Sequence, residues 1–227
     1  MKIIVGVVAF AACVTILCPP AGAFDPSRLA LMPLPRQALG ADASALPLAS
    51  DSGLDSNADA ALNVGTGVTA AELTSYGRIT GYTLDYARPA SALLPPRGLL
   101  EVKTIAELYR DSSTATKGLA FWRGVTKKLN SSTSNGVTIR LSSFDAPVNG
   151  DAFAFVLTYE RAGKPLGYVG DIVFRTGDLL GAVFVTTSDE AGLRTRTVSL
   201  ANRLALRIKQ VLAGKLTGPT VVLPGAS

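Results

Sequence analysis

Carboxylates and serines are the side chains of this sequence that could do chemistry, because histidine is absent and cysteine is confined to one segment. The 227 residues include no histidine, and both cysteines, Cys13 and Cys18, lie in an N-terminal apolar run. Without imidazole a protein lacks the usual general base near neutral pH, and without imidazole or thiolate it lacks the usual transition-metal ligands. We therefore expect no metal, no cofactor and no disulfide in the chain beyond that run.

Paired carboxylates are the remaining route to acid–base catalysis, because they can hydrolyse a glycosidic bond without histidine. The acids of the strand-rich second half are Asp145, Asp151, Glu160, Asp171 and Asp178. Asp171 is the best candidate, since it interrupts an otherwise apolar strand pattern. Its alternative role is an edge position or a salt bridge to Arg140 or Arg175. An enzyme of this kind would show convergent carboxylates with raised pKa values in a cleft.

The sequence gives less support to a catalytic serine or to a calcium-binding loop. The sequence has no Gly-x-Ser-x-Gly elbow, and Ser113 and Lys117 are one residue too far apart for a Ser-x-x-Lys dyad. The acids Asp51, Asp55 and Asp59 do not have the spacing of an EF-hand loop. We therefore expect a protein that is not an enzyme and that binds no metal.

Aromatic side chains could line a ligand site, although most dispersed aromatics pack a core. Tyr82 and Tyr86 fall on one face of a predicted strand, and Trp122, the one tryptophan, lies on a predicted helix. If a pocket lies between the sheet and this helix, these three residues are predicted to line it.

Basic residues gather toward the C-terminus. After Glu190 the chain has no acidic residue, and Arg203, Arg207 and Lys209 lie on the last predicted helix. Such a basic surface can bind anionic lipid, glycan or phosphate polymers. The alternative, which we prefer, is a solvated helix face. Nucleic acid is not expected as a partner, because the chain lacks a basic strip interleaved with aromatics.

An export signal precedes the residues that carry this chemistry. Lys2 is followed by an apolar run from Ile3 to Cys18, and the segment ends at Ala21-Gly22-Ala23. A positive start, an apolar core and an Ala-x-Ala end are typical of a secretory signal peptide, here residues 1–23. We expect cleavage after Ala23, a secreted or extracytoplasmic location in the cell envelope, and no stable transmembrane anchor afterwards. The residue before Cys18 is too large for lipoprotein processing, so no lipid is expected.

Residues 24–67 are rich in Ala, Leu, Pro, Ser and Asp and hold no long periodic pattern. This composition is typical of a disordered spacer. The alternative is an arm that docks on the folded domain through its leucines, which are Leu29, Leu31, Leu34, Leu39, Leu46 and Leu48. The domain itself is predicted over residues 68–214, and residues 215–227 are predicted to form a flexible tail.

Two strands and a long helix open the predicted domain. The residues from Thr69 to Glu72 have the pattern of a capping box, and the segment from Arg78 to Arg88 alternates as a strand. A second, short strand is predicted from Leu99 to Lys103. The next four residues, Thr104-Ile105-Ala106-Glu107, have the pattern of another capping box, so a long helix is predicted over residues 104–128.

Four closely spaced strands follow, near residues 137–141 and at 152–160, 166–176 and 179–187. Their connections are too short for crossover helices, which predicts an antiparallel meander. A last helix, over about 198–213, carries the apolar stripe Leu200, Leu204, Ile208 and Val211. The expected fold is α+β, with an antiparallel sheet of about six strands and a long helix and a C-terminal helix packed on it.

This order of elements resembles the PsbP-like sandwich, which is used by small exported actinobacterial proteins, among them LpqN-like lipoproteins. The resemblance is carried by the residues from Gly77 to Tyr82, the 104–128 helix, the 170–187 hairpin and the last helix. It implies an envelope accessory or binding module and supplies no catalytic residues. The chain departs from the lipoprotein members in having no lipobox, so their lipid anchor is not expected here.

Two functions remain open at this point. The first is an exported accessory or binding module of the cell envelope without catalytic activity, whose unknown partner is an envelope protein or an anionic surface. The second is a carrier or sensor of a small apolar or amphipathic ligand bound between the sheet and the long helix. A closed sheet–helix interface favours the first, whereas an apolar-lined cavity favours the second.

Overall fold

A computed structural model describes residues 24–64, 67–89, 97–148 and 150–217, and these form a sheet with helices on both faces. The strands are β1 (Gly53–Asp55), β2 (Arg78–Ala87), β3 (Leu99–Tyr109), β4 (Thr133–Ser134), β5 (Val137–Ser143), β6 (Ala152–Arg161), β7 (Lys164–Thr176) and β8 (Leu179–Thr187). The helices are α1 (Asn57–Val64), α2 (Ala70–Ser75), α3 (Ser112–Lys128) and α4 (Leu193–Leu212). The predicted signal peptide and most of the predicted tail lie outside the described residues.

Within the described residues the sheet has eight antiparallel strands, in the order β1-β2-β3-β8-β7-β6-β5-β4, which corrects the expected number of about six. The additional strands are β1, of three residues, and β4, of two, and both lie at the sheet edges. Elements this short show no recognisable period of two in a sequence. The predicted meander is confirmed, because β5, β6, β7 and β8 pair in chain order.

The prediction that a helix begins at Thr104 is wrong. The segment Leu99–Tyr109 is one continuous strand, and it pairs with β2 on one side and β8 on the other. Thr104, Ala106 and Leu108 are all buried on one face, as strand alternation requires. Two neighbouring strands therefore stabilise a segment whose local pattern also suits a helix start.

Asp111 provides the start of the long helix, later in the chain than predicted. Its Oδ1 accepts a hydrogen bond from the Thr114 backbone N at 2.7 Å, and the Thr114 hydroxyl accepts one from the Asp111 backbone N at 3.0 Å. Helix α3 continues through Gly118, where a Cβ would lie 2.3 Å from the Tyr109 ring. The missing side chain therefore lets α3 approach the end of β3 closely.

Helix α4 closes one face of the sheet, here called the α4 face. The helix begins earlier than predicted, at Leu193, and the burial of its apolar stripe is confirmed. The helix crosses β7 at Gly170, where a Cβ would lie 2.3 Å from the Thr197 hydroxyl. Among the helices that the structure describes, none has both the length and the apolar content needed to cross a membrane.

The N-terminal arm, residues 24–48, lies on the α4 face beside the helix. Its apolar side chains join the same buried core: Leu29, Leu31, Met32, Leu34, Leu39 and Leu46. Arg203 Nη1 donates to the Ala38 carbonyl and Arg207 Nε donates to the Leu31 carbonyl, each at 2.7 Å. Of the two alternatives for the segment before residue 68, the structure has the docked arm, which leads into β1 and α1.

Candidate ligand-binding cleft

The opposite face of the sheet, the α3 face, is only partly covered by helices. Helix α3 packs on one end of this face through Ala115 and Leu119, which join a second buried cluster with Tyr109 and Leu180. A cavity of about 370 Å³ opens between α3, α1 and the sheet, and we refer to it as the cleft. This volume lies within the range of small-molecule binding sites.

Apolar side chains form much of the wall of the cleft. The apolar residues of the sheet that line it come from β3, β6, β7 and β8: Ile105, Leu157, Val169, Val173, Ala182 and Phe184. Helix α3 contributes Trp122 and Val125, and Leu129 follows directly after its last residue. A cavity of this kind can exclude water from the body of a small organic molecule, while a few polar groups fix its orientation.

The three aromatic residues that were predicted to share a ligand site lie on two different faces. Trp122 lines the cleft and is half-buried. Tyr82 and Tyr86 pack on the α4 face instead, where the Arg36 guanidinium lies 5.4 Å from the centroid of the Tyr86 ring. Successive side chains of β2 point to opposite faces of the sheet. Thr83 therefore lines the cleft, whereas Tyr82 and Tyr86 point to the α4 face.

The predicted basic surface is also divided in the structure. Arg203 and Arg207 hold the backbone of the arm, as described above. Lys209 is exposed on the same helix. Two of these three cations therefore have a role in closing the α4 face, and binding to an anionic partner stays a prediction.

A buried ion cluster around Arg78 lies at the β1 side of the cleft. The Arg78 side chain is fully buried, with Nη2 2.7 Å from Asp55 Oδ2 and Nε 2.8 Å from Glu107 Oε1. Trp122 Nε1 donates to Glu107 Oε2 at 3.0 Å and to the Tyr109 hydroxyl at 3.1 Å. Burial raises the pKa of Asp55 to about 6, although the attraction of Arg78 acts in the opposite direction.

A second cluster of charges surrounds Lys103. Its Nζ lies 2.7 Å from Asp85 Oδ2, 3.5 Å from Asp51 Oδ2 and 3.7 Å from Glu101 Oε1. Burial, and next the charge of Glu101, raise the pKa of Asp85 to about 7. The Lys103 ammonium group therefore lies within ion-pair distance of three carboxylates. Of these four residues, Lys103 and Glu101 line the cleft directly.

Asp171 is the carboxylate that the sequence singles out, and it lies in the lining of the cleft with only 2% of its surface exposed. Its Oδ2 accepts a long hydrogen bond from the Thr126 hydroxyl at 3.5 Å. Its Oδ1 has no hydrogen-bond partner in the described part of the chain. Loss of water on burial raises the pKa of Asp171 to about 7, and the hydrogen bond from Thr126 acts in the opposite direction.

Both structural alternatives that the sequence offered for Asp171 are wrong. Strand β7 lies between β6 and β8, so Asp171 is not at a sheet edge. Arg140 pairs with Glu160 at 3.3 Å, and Arg175 pairs with Asp151 at 2.9 Å. Which acid each arginine contacts depends on how the strands pair, and this pairing cannot be inferred from the sequence of a single strand.

Negative charge is therefore concentrated at the cleft of a chain that is basic as a whole. The carboxylates that line it or pair with its lining are Asp51, Asp55, Asp85, Glu101, Glu107 and Asp171. Arg78 and Lys103 are the cations that pair with them, whereas the formal net charge of the whole chain is +5. A bound group of positive charge would offset this local excess.

Several cleft residues on β3 were missed, because the predicted strand ended at Lys103 and a helix was predicted to begin at Thr104. Lys103 and Glu107 extend from the same face of β3, two residues to either side of Ile105. Their alternation with the buried Val102, Thr104 and Ala106 is the signal that could have identified them. No group of three or more side chains suited to hold a metal is found among the described residues.

Comparisons with known proteins add a weak structural likeness to this geometry. The sequence matches no protein-family model, and no curated protein matches it. Among solved structures, the extracellular domain of PknH from Mycobacterium tuberculosis is similar to 77% of this chain, over 98% of its own length. The TM-score is 0.46 and the sequence identity is 9%, so the likeness carries no argument about function. The resemblance to PsbP-like proteins rests on the sequence pattern alone.

Proposed function

We propose that this chain is an extracytoplasmic binding module without catalytic activity, and that it holds a small amphipathic ligand in the cleft. The observation that carries the proposal is the cavity of about 370 Å³ with apolar walls between α3, α1 and the sheet. An interaction module would be expected to close this interface. The carrier or sensor function therefore ranks above the accessory module, in reversal of the order that the sequence alone favours.

The extracytoplasmic location is supported by the sequence pattern of residues 1–23. Its positive start, apolar core and Ala-x-Ala end are the parts of a secretory signal peptide. Mass spectrometry of the protein recovered outside expressing cells should give a chain that begins at Phe24. A diacylglycerol adduct on Cys13 or Cys18 would contradict this processing.

Filling the cleft tests the binding role directly. Val169 is half-buried in the lining, so Val169→Phe should place a ring into the cavity. Leu206→Phe is the matched control, because Leu206 is exposed on α4. A panel of alkyl alcohols, alkyl amines and alkyl glycosides would be titrated against each protein. The fluorescence of Trp122, the one tryptophan, and the melting temperature would be recorded.

We expect at least one member of the panel to stabilise the wild type and to change Trp122 fluorescence. The affinity should fall by about tenfold or more in Val169→Phe and stay unchanged in Leu206→Phe. Equal responses in the wild type and Val169→Phe would show that the ligand binds elsewhere. The absence of any response across the panel would reject the cleft as a binding site for such molecules.

General acid catalysis is a second candidate, since burial raises the pKa of Asp171 to about 7 and that of Asp55 to about 6. Asp55 is already engaged by Arg78, which leaves Asp171 as the group able to donate a proton. Nitrophenyl glycosides test this candidate, and we expect no release of nitrophenol. A steady release that disappears in Asp171→Asn would replace the binding role by hydrolysis.

A further inference from the structure

We propose that the cleft selects cationic amphiphiles, with a ligand ammonium group paired to Asp171 and an alkyl chain lying on the apolar wall. This inference rests on the proposed function and adds the chemical class of the ligand. Three observations carry it: the unpartnered carboxylate, the commitment of the nearby cations to other acids, and the apolar surroundings of the carboxylate.

Asp171 has an unsatisfied oxygen in a place where an unsatisfied charge is costly. Its Oδ1 is buried and lacks a hydrogen-bond partner in the described part of the chain. Asp171 lies on β7, opposite Phe155 of β6 on one side and Phe184 of β8 on the other. A carboxylate among aromatic neighbours is stable in its charged form only when a donor or a cation reaches it.

The two cations that pair with the carboxylates of the cleft, Arg78 and Lys103, are committed to acids other than Asp171. Arg78 directs Nη2 to Asp55 and Nε to Glu107, and its Nη1 donates to the Asn57 side-chain oxygen at 2.8 Å. The closest partner of Lys103 is Asp85, at 2.7 Å. A positive group that pairs with the charged form of Asp171 would therefore come from a ligand.

The surroundings of Asp171 fit a cation with an apolar body better than a simple metal ion. Val169 and Val173 flank it on the same face of β7, and Phe184 and Leu157 line the cleft from the adjacent strands. A hard cation such as Ca²⁺ needs six to eight oxygen ligands, which these side chains do not offer. An anionic amphiphile would be repelled by the carboxylates.

Proton release provides a signature of this pairing. Burial holds the pKa of Asp171 near 7, and a bound ammonium would lower it, so that binding expels a proton near neutral pH. The charged or titratable groups that face the same cavity are Asp55, Glu101, Lys103, Glu107 and Tyr159. Affinity for a permanent cation should therefore tighten as the pH rises from about 6 to about 8.

The test compares three eight-carbon probes that differ only in the head group: n-octylammonium, n-octanol and octanoate. Calorimetric titration and Trp122 fluorescence would be measured with the wild type, Asp171→Asn and Asp151→Asn at pH 8. Asp151→Asn is the matched control, because Asp151 is an exposed acid that pairs with Arg175. The wild type and the control should prefer octylammonium over octanol by about ten- to hundredfold.

Asp171→Asn should bring the affinities for octylammonium and octanol within about threefold of each other, and it should leave octanol binding intact. Equal affinities in the wild type, or a preference that survives in Asp171→Asn, would overturn the inference while the proposed function stands. A preference for octanoate, or an octylammonium affinity that is constant from pH 6 to 8, would overturn it too. Failure of all three probes to bind would reject the proposed function itself.

Discussion

The two faces of the sheet differ in what they bury. On the α4 face, Ile172, Phe174 and Val183 are fully buried under α4 and the arm. On the α3 face, the buried residues include the charged side chains Asp55, Glu107 and Asp171, and a cavity remains. Buried charges and internal cavities both lower the free energy of unfolding. We infer that the α4 face supplies the stability that allows the α3 face to remain open and charged.

Removal of Arg78 should have the largest effect, because it breaks the charged network of the α3 face. Arg78→Ala leaves Asp55 and Glu107 buried without their cation, which should lower the free energy of unfolding by about 3–5 kcal/mol. Arg140→Ala is the control, since its pair with Glu160 is exposed and should be worth less than about 1 kcal/mol. Urea unfolding measures both, and similar losses would contradict the importance of the buried network.

A matched pair of leucine truncations compares the two faces directly. Leu204 is fully buried on the α4 face, so Leu204→Ala should cost about 2–5 kcal/mol. Leu129 is half-buried beside the cleft, and Leu129→Ala should cost about 1 kcal/mol, because part of its side chain already lacks packed neighbours. Equal losses would mean that the α3 face is as tightly packed as the α4 face.

The charge of Asp171 should make stability depend on pH. Its pKa in the folded chain, about 7, is higher than in an unfolded chain, so the folded state holds the proton more tightly. The free energy of unfolding should therefore fall as the pH rises from about 4 to about 7 and level off above that. Asp55 and Asp85, whose pKa values are also raised, contribute in the same direction.

Asp171→Asn should remove part of this slope. At pH 8 the variant should be more stable than the wild type by about 1–3 kcal/mol, because no charge is buried. At pH 4 the two should have nearly the same stability, since Asp171 is then protonated. Thermal melts across this pH range measure the difference, and a constant difference at every pH would show that folding does not shift the pKa of Asp171.

The smallest predicted effect concerns the arm on the α4 face. Arg203→Ala removes the hydrogen bond to the Ala38 carbonyl and should cost about 0.5–1.5 kcal/mol. Hydrogen exchange should increase mainly in the arm, residues 24–48. Lys209→Ala is the control, because Lys209 is exposed on the same helix. An equal increase in exchange for Lys209→Ala would show that general loss of positive charge, rather than this contact, loosens the arm.

Sequence patterns predicted the parts of the fold that have long, regular periods. The stripe of α4 and the β5–β8 meander were predicted because their apolar residues recur with the period of one helix or strand. The start of α3 was not, since the residues from Thr104 to Glu107 suit a helix start locally and a strand only between β2 and β8. The structure of the arm was not predicted either, because its short 3-10 helices, at Pro26–Leu31, Arg36–Ala38 and Ala41–Ala43, have no such period.

The cleft was only partly predictable. Trp122 and Asp171 were both singled out, the first as the one tryptophan and the second as a charge in an apolar strand. Their environments depend on strand order and on which face α3 covers, and a single sequence shows neither. For the same reason Tyr82 and Tyr86 were predicted to share the face of Trp122 but lie on the other one.

The contacts between the arm and α4 join the two ends of the described chain. Arg28 donates to the carbonyl of Val211, 183 positions later, and Arg203 reaches back over 165 positions to Ala38. Contacts between such distant positions form late in folding and slow it. The α4 face therefore cannot be completed until the last helix has been synthesised. We expect the nascent chain to stay incompletely folded until then, and such a state is compatible with the export that the signal-peptide pattern predicts.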